Sequence, residues 1–235
     1  MKEPYVMIGV PSGGGIDAVW TNSIMGLKAN GIKTCFLVDM AKPLDKSRYR
    51  IVEEAKKQGC SHLFFVDDDT FVPPTSLKQL LSHDKDIVSG QYFQKVPPYL
   101  PITLKKIPED KKDPGDAPYC PHYPTQMAKV DAVGMGCCLI KMEVFDKVPK
   151  PYFKWMYWET EEGEPSWLGE DIWFCEQAIE AGFDVWVDPT IICKHIGFTA
   201  FGPAHFKQMM INTCKGDNFS FKSGETHDIN DIKLE

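Results

Sequence analysis

Several features that would place a chain in a large protein class are missing from this sequence. No apolar run approaches the ~20 residues of a membrane span, and no charged-then-apolar leader is recognisable at the start; the expected setting is the cytoplasm. There is no basic surplus: 26 Lys and Arg stand against 33 Asp and Glu in 235 residues, a formal net charge of −7. Proteins that grip DNA or RNA neutralise phosphates with a basic surface, so no nucleic-acid-binding surface is expected, whereas a single nucleotide needs only one local site. There is no CxxC pair. The eight cysteines (Cys35, Cys60, Cys120, Cys137, Cys138, Cys175, Cys193 and Cys214) are scattered, most of them in apolar runs, and read as reduced, buried thiols rather than a disulfide framework. Cys120-Pro121-His122 is the one Cys/His cluster near a loop, and two ligands at that spacing fall short of a zinc site. Gly13-Gly14-Gly15 lacks both the Lys-Ser/Thr of a P-loop and the spacing of a dinucleotide fingerprint, and reads as a flexible loop. No internal repeat or interdomain linker is visible.

What is present is an alternation. Residues 5–10, 34–38, 62–66 and 86–90 are short apolar runs, each bounded by turn residues, and read as buried strands. Between them residues 16–29, 47–58 and about 75–81 have helical spacing, with Gly31 and Gly59 as C-terminal stops. Strand and helix in alternation predict an α/β fold, a mostly parallel sheet flanked by helices. The second half is less regular. Residues 95–126, rich in Pro, Lys and Asp, read as a long irregular insertion. Residues 129–141 read as a strand or strand pair around Gly134-Met135-Gly136, residues 149–165 as an aromatic, irregular segment, and residues 170–181 as a helix ended by Gly182. Strands are expected at 184–187 and 191–193. The expected organisation is one domain over residues 1–212, followed by a polar tail, 213–235, expected to be disordered.

The chemistry concentrates in three places. In Leu63-Phe64-Phe65-Val66-Asp67-Asp68-Asp69, four apolar residues indicate a strand buried on both faces. Three adjacent carboxylates at its end cannot all stay ionised without a counter-cation. Ligands of open parallel sheets bind beyond the carboxyl ends of the strands, so the triplet suits a divalent metal with oxygen ligands, Mg²⁺ or Mn²⁺. As strand residues, Asp67 and Asp69 would face one side and Asp68 the other; the alternative is an acidic turn that caps the next helix. Glu170-Asp171, after Gly169, opens a helix, where a capping role and a chemical one are both open. His195 follows an apolar strand and is followed by Gly197; it is either a half-buried structural histidine or a ligand.

Strand-Asp67-Asp68-Asp69-loop, preceded by the helix Arg48-Tyr49-Arg50-Ile51-Val52-Glu53-Glu54-Ala55, resembles glycosyltransferases of the GT-A fold, closest to family 2-like bacterial and phage members. The likeness continues through Val88-Ser89-Gly90-Gln91-Tyr92-Phe93 and through Val130 to Ile140, and covers most of residues 5–200. It implies a GT-A-like, Rossmann-like mixed sheet and an enzyme that moves a sugar from a nucleotide-diphosphate-sugar donor to a hydroxyl on a glycan, lipid-linked or other acceptor. It also implies roles. Asp69, Asp67 and His195 would hold Mn²⁺ or Mg²⁺. Pro11, Ser12, Arg48, Asp67, Asp68, Gly134 and Gly136 would line the nucleotide-sugar site. Asp171 would be the general base of an inverting reaction, with Glu170 orienting the acceptor; inversion and retention both occur on this fold. The aromatic run from Tyr152 to Trp158 suits either stacking on sugar rings or core packing. Two rivals remain. A nucleotidyltransferase would need a basic, Gly-rich loop after the first strand, and Pro11 to Asp17 contains no Lys or Arg. A non-catalytic glycan- or nucleotide-binding module would be favoured by broken acidic motifs, and both are intact.

Overall fold

The computed structural model describes residues 3–15, 18–28, 31–112, 118–159, 163, 165–197, 200–214, 216–222 and 224–233. The first half follows the predicted alternation: β1 (Tyr5–Pro11), α1 (Ala18–Lys28), β2 (Lys33–Asp39), α2 (Leu44–Lys57), β3 (His62–Val66), a short β4 (Thr70–Phe71), α3 (Ser76–Ser82) and β5 (Ile87–Gln91). The ends of the first expected helix, at residues 16, 17 and 29, lie outside the described residues. The second half contributes β6 (Thr103–Lys106), β7 (Tyr119–Pro121), β8 (Ala128–Val130), β9 (Ala132–Val133), β10 (Cys137–Lys141), α4 (Val144–Lys147), β11 (Met156–Glu159), β12 (Pro165–Leu168), α5 (Glu170–Glu180), β13 (Val185–Ile192), β14 (Lys194–Ile196), β15 (Ala200–Phe201), α6 (Pro203–Thr213), β16 (Asn218–Ser220) and β17 (Thr226–Asp228).

Seven strands form the central sheet in the order β2-β1-β3-β10-β5-β13-β8. β2, β1, β3, β5 and β13 run one way, and β10 and β8 oppose them. β3 lies inside the sheet between β1 and β10, and Leu63, Phe64, Phe65 and Val66 are all fully buried because both faces of the sheet are covered. The two-residue alternation of a strand splits its side chains between two cores. Leu63 and Phe65 join Met7, Ile51, Ile140 and Phe174 on one face; Phe64 and Val66 join Ile8, Trp20, Leu77 and Leu139 on the other. α2 buries Ser47, Arg48, Ile51, Val52 and Ala55, a stripe at helical spacing. It presses so closely on β1 that a Cβ at Gly9 would overlap Ile51.

Four segments differ from the sequence expectation. The two strands expected at 184–187 and 191–193 are one strand, β13. The insertion is not irregular throughout: β6 pairs with both β7 and β9 in a three-stranded antiparallel sheet. The aromatic stretch contains a hairpin, β11–β12. The polar tail is not disordered where it is described. β16 and β17 pair, and Phe219, Ile229 and Ile232 are buried in a third cluster with Phe93, Tyr123, Phe206 and Met210. A few apolar residues, spaced too widely to show a period, are enough to dock that segment. Among the described residues no helix is long and apolar enough to cross a membrane.

If the tail is part of the fold, Phe219→Ala should cost about 3 kcal/mol or more, as for other buried phenylalanines, read as a lower urea midpoint with unchanged slope. A midpoint equal to wild type would mean that the tail is not docked.

Candidate active site

The three aspartates follow β3 in a turn, not in a strand. The Thr70 N–H donates to the Asp67 carbonyl at 3.1 Å, and the Trp20 indole N–H donates to the same oxygen at 2.8 Å. Because the chain turns, the strand rule that would put Asp67 and Asp69 on one side does not apply, and the three side chains diverge. Asp68 faces the end of β1, where its Oδ2 accepts from the Ser12 hydroxyl at 2.7 Å and the Gly13 N–H at 2.8 Å. Ser12 is further fixed by donating its N–H to the Asp39 carbonyl at 2.9 Å. The loop after β1 is therefore braced by an aspartate and by the end of β2.

Asp69 meets His195. Oδ2 of Asp69 lies 3.2 Å from His195 Nε2 and 2.6 Å from Lys95 Nζ. β14 brings His195 there by pairing with β4, and the Ile196 N–H donates to the Asp69 carbonyl at 2.5 Å. On the other side of the ring, Nδ1 lies 3.0 Å from the Phe93 carbonyl, which leaves Nε2 to face the carboxylate. Burial alone would raise the Asp69 pKa, but His195 and Lys95 outweigh it and hold the group at about 2. Burial works against the charged imidazole, and Asp69 outweighs that in turn, so the His195 pKa is raised. Lys95 stands at the start of the insertion; no periodicity or motif singles it out in the sequence.

Asp67 does not join that pair. Its Oδ1 accepts from Arg48 Nη2 at 3.0 Å, while Arg48 Nε donates to Glu170 Oε1 at 2.8 Å. Arg48 is 2% exposed and Glu170 3%. The guanidinium also lies over the Phe65 ring, 5.2 Å from its centre. An arginine expected at the nucleotide is thus sealed between two carboxylates, and the glutamate expected to orient an acceptor is bound to it. Burial resists the charge on Arg48, but Asp67 and Glu170 prevail, and its pKa is raised. Asp67, desolvated beside Asp69, has a raised pKa despite Arg48.

Asp171 is next to Glu170 at the start of α5. Its Oδ1 accepts the Ile172 N–H at 2.9 Å, and a Cβ at residue 169 would push that carboxylate out of its present position. Burial, then the neighbouring Glu170, push its pKa up; Arg48 opposes, and the result is about 7. A carboxylate poised near neutrality can both accept and release a proton.

Gly134 and Gly136 are buried under Tyr92. A side chain at Gly134 would overlap the Tyr92 hydroxyl, and one at Gly136 would press on Thr70 Oγ1 and Tyr92. The Gly136 N–H donates to the Tyr92 hydroxyl at 3.0 Å, and its carbonyl accepts from the Asp67 N–H at 3.4 Å. Both glycines therefore pack behind the aspartate turn, and Pro11 ends β1 just before Ser12. Tyr157 and Trp167 sit opposite one another on the β11–β12 hairpin, 63% and 60% exposed.

The fold and the acidic edge define a GT-A-like α/β protein. By sequence the chain matches no protein-family model and no curated protein. By structure it is similar to the crystal structure of A197 from STIV, with a TM-score of 0.56 and 18% identity over 86% of this chain and 91% of that one. It is also similar to the crystal structure of GalNAc-T7 with UDP, GalNAc and Mn²⁺, with a TM-score of 0.52 and 12% identity over 88% of this chain and 47% of that one. The chain thus spans about half the length of GalNAc-T7. At these identities the likeness is one of fold.

Removing one member of a buried ion network leaves the others uncompensated. Arg48→Met should destabilise the protein at pH 7 by about 3–5 kcal/mol, measured by urea denaturation. A loss under about 1 kcal/mol would mean that Arg48 does not hold the two acidic segments together.

Proposed function

We propose that this protein is a metal-dependent glycosyltransferase that transfers a sugar from a nucleotide-diphosphate donor to an acceptor hydroxyl. The observation that carries the reading is the Arg48 bridge. One guanidinium, bonded to Asp67 at 3.0 Å and Glu170 at 2.8 Å, holds the aspartate turn and the start of α5 at the same edge of a GT-A-like sheet. On this reading a cation-binding pair and a base-bearing pair would share one site.

The residues present suit a divalent ion. Asp69 and His195 offer an oxygen and a nitrogen 3.2 Å apart, at a carboxylate that already attracts the Lys95 ammonium to 2.6 Å. Few protein ligands are typical where substrate phosphates complete the shell, and the GalNAc-T7 structure, similar in fold, holds UDP and Mn²⁺. Bound Mn²⁺ or Mg²⁺ would neutralise charge developing on the departing diphosphate. Asp69 and His195 would hold it, Asp67 would sit beside it against Arg48, and Lys95 would add a mobile positive charge at the same phosphates. Ser12 and the backbone after β1, braced by Asp68, would receive the nucleoside. Asp171 would take the acceptor proton. Tyr157 and Trp167 would give an acceptor ring flat apolar faces to lie on.

Asp69→Ala should lower metal-dependent donor turnover, as transfer or as hydrolysis of the sugar nucleotide, by at least about 100-fold. Undiminished turnover in that variant, with metal present, would sink the assignment. The base adds a pH signature. Only ionised Asp171 can accept a proton, so kcat/KM for transfer should rise with pH through an apparent pKa near 7 and level off above it. Asp171→Asn should lose about 100-fold or more of kcat while donor affinity holds, and a full rate in that variant would assign the proton elsewhere.

A further inference from the structure

A second group of ligand-type side chains lies outside this site. His122 follows β7, Glu225 precedes β17, and His227 is in β17. One donor atom from each lies within 4.8 Å of the others, and among the described residues this is the one set of three that converges so closely. We propose that His122, Glu225 and His227 bind a zinc ion that staples the C-terminal hairpin to the insertion.

Three observations carry this. The Nε2 of His227 is buried without a hydrogen-bond partner, in a setting where polar groups are almost always satisfied. The Nδ1 of His122 is also buried; Glu225 Oε2 lies 2.9 Å from it, but off the line of an N–H donation, so that nitrogen too lacks a true hydrogen bond. Two groups crowded together without bonding one another are placed as they would be if both addressed a third. The imidazoles are also held in position. His122 donates its backbone N–H to the Thr103 carbonyl at 2.8 Å, and His227 packs against Phe219, with ring centres 5.2 Å apart, and against His122 at 5.4 Å.

The donor set identifies the ion. Two imidazoles and one carboxylate suit borderline Zn²⁺ at donor distances of about 2.0–2.2 Å, while Mg²⁺ and Ca²⁺ prefer all-oxygen shells. Water would supply the fourth position. Cys120, which the sequence places beside His122, is not among the converging groups. The hairpin carries Phe219 into the cluster that contains Phe93, and the Phe93 carbonyl faces His195 Nδ1. The staple would therefore lie behind the histidine of the first site.

The test uses the full chain without an affinity tag, in an Asp69→Ala background that disables the first site. After dialysis against ZnCl₂ and then metal-free buffer, elemental analysis should find one zinc per chain, and added ZnCl₂ should raise the Tm of chelator-treated protein. Glu225→Gln and His227→Ala in the same background should each weaken zinc binding by about tenfold or more and abolish the Tm response. Glu225 is about half exposed, so its variant should fold, and circular dichroism checks this. No zinc in the Asp69→Ala protein, or zinc affinity in both further variants unchanged from that of the Asp69→Ala parent, would overturn the proposal.

Discussion

The Arg48 guanidinium holds together parts of the chain that are 122 residues apart in sequence. It is almost wholly buried, so it cannot be left unpaired, and it cannot be reached unless α2 lies flat on β1, as Gly9 permits. One positive charge faces three carboxylates, Asp67, Glu170 and Asp171. The network therefore carries an excess of negative charge around a buried guanidinium and a buried Glu170, with Asp67 and Asp171 partly exposed. Part of that excess is relieved by raising Asp171 to about 7, and outside the network Asp69 is compensated by His195 and Lys95. The same imbalance that makes the edge costly to bury prepares it for a cation and for a proton.

Much of this was legible in the sequence, for physical reasons that vary by residue. β3 could be read because four apolar residues in a row have no place except between two layers. Its acidic end stood out because three adjacent carboxylates demand compensation. The side-chain directions were not legible. Alternation governs Asp67 and Asp69 only within a strand, and the hydrogen bond from Thr70 closes a turn instead. Arg48 was visible as a candidate, but its burial was not, because its partners lie in segments that only the tertiary fold brings near. Lys95 gave no signal: a lysine in a Pro/Lys-rich insertion looks like solvated surface.

The insertion and tail were the least legible, and they turn out to be linked. Neither has a hydrophobic period, since each contributes only isolated apolar residues to a shared cluster. Phe93, Tyr123, Phe206 and Phe219 come from four separate stretches, and only their sum forms a core. That core matters to the site because the Phe93 backbone sets the orientation of the His195 ring. The aspartate turn is likewise supported from behind by Tyr92, whose hydroxyl accepts from Gly136.

The proposed function requires the acidic edge of this sheet to bind a nucleotide-diphosphate sugar through a divalent cation. The most direct measurement is a thermal-shift screen of UDP-, GDP-, ADP- and CMP-sugars, with and without Mn²⁺. A ligand that binds the folded state raises Tm according to its occupancy. Stabilisation is expected from the sugars of one nucleoside diphosphate, present with Mn²⁺ and lost without it. Absence of a metal-dependent shift with every sugar nucleotide would contradict the proposed function.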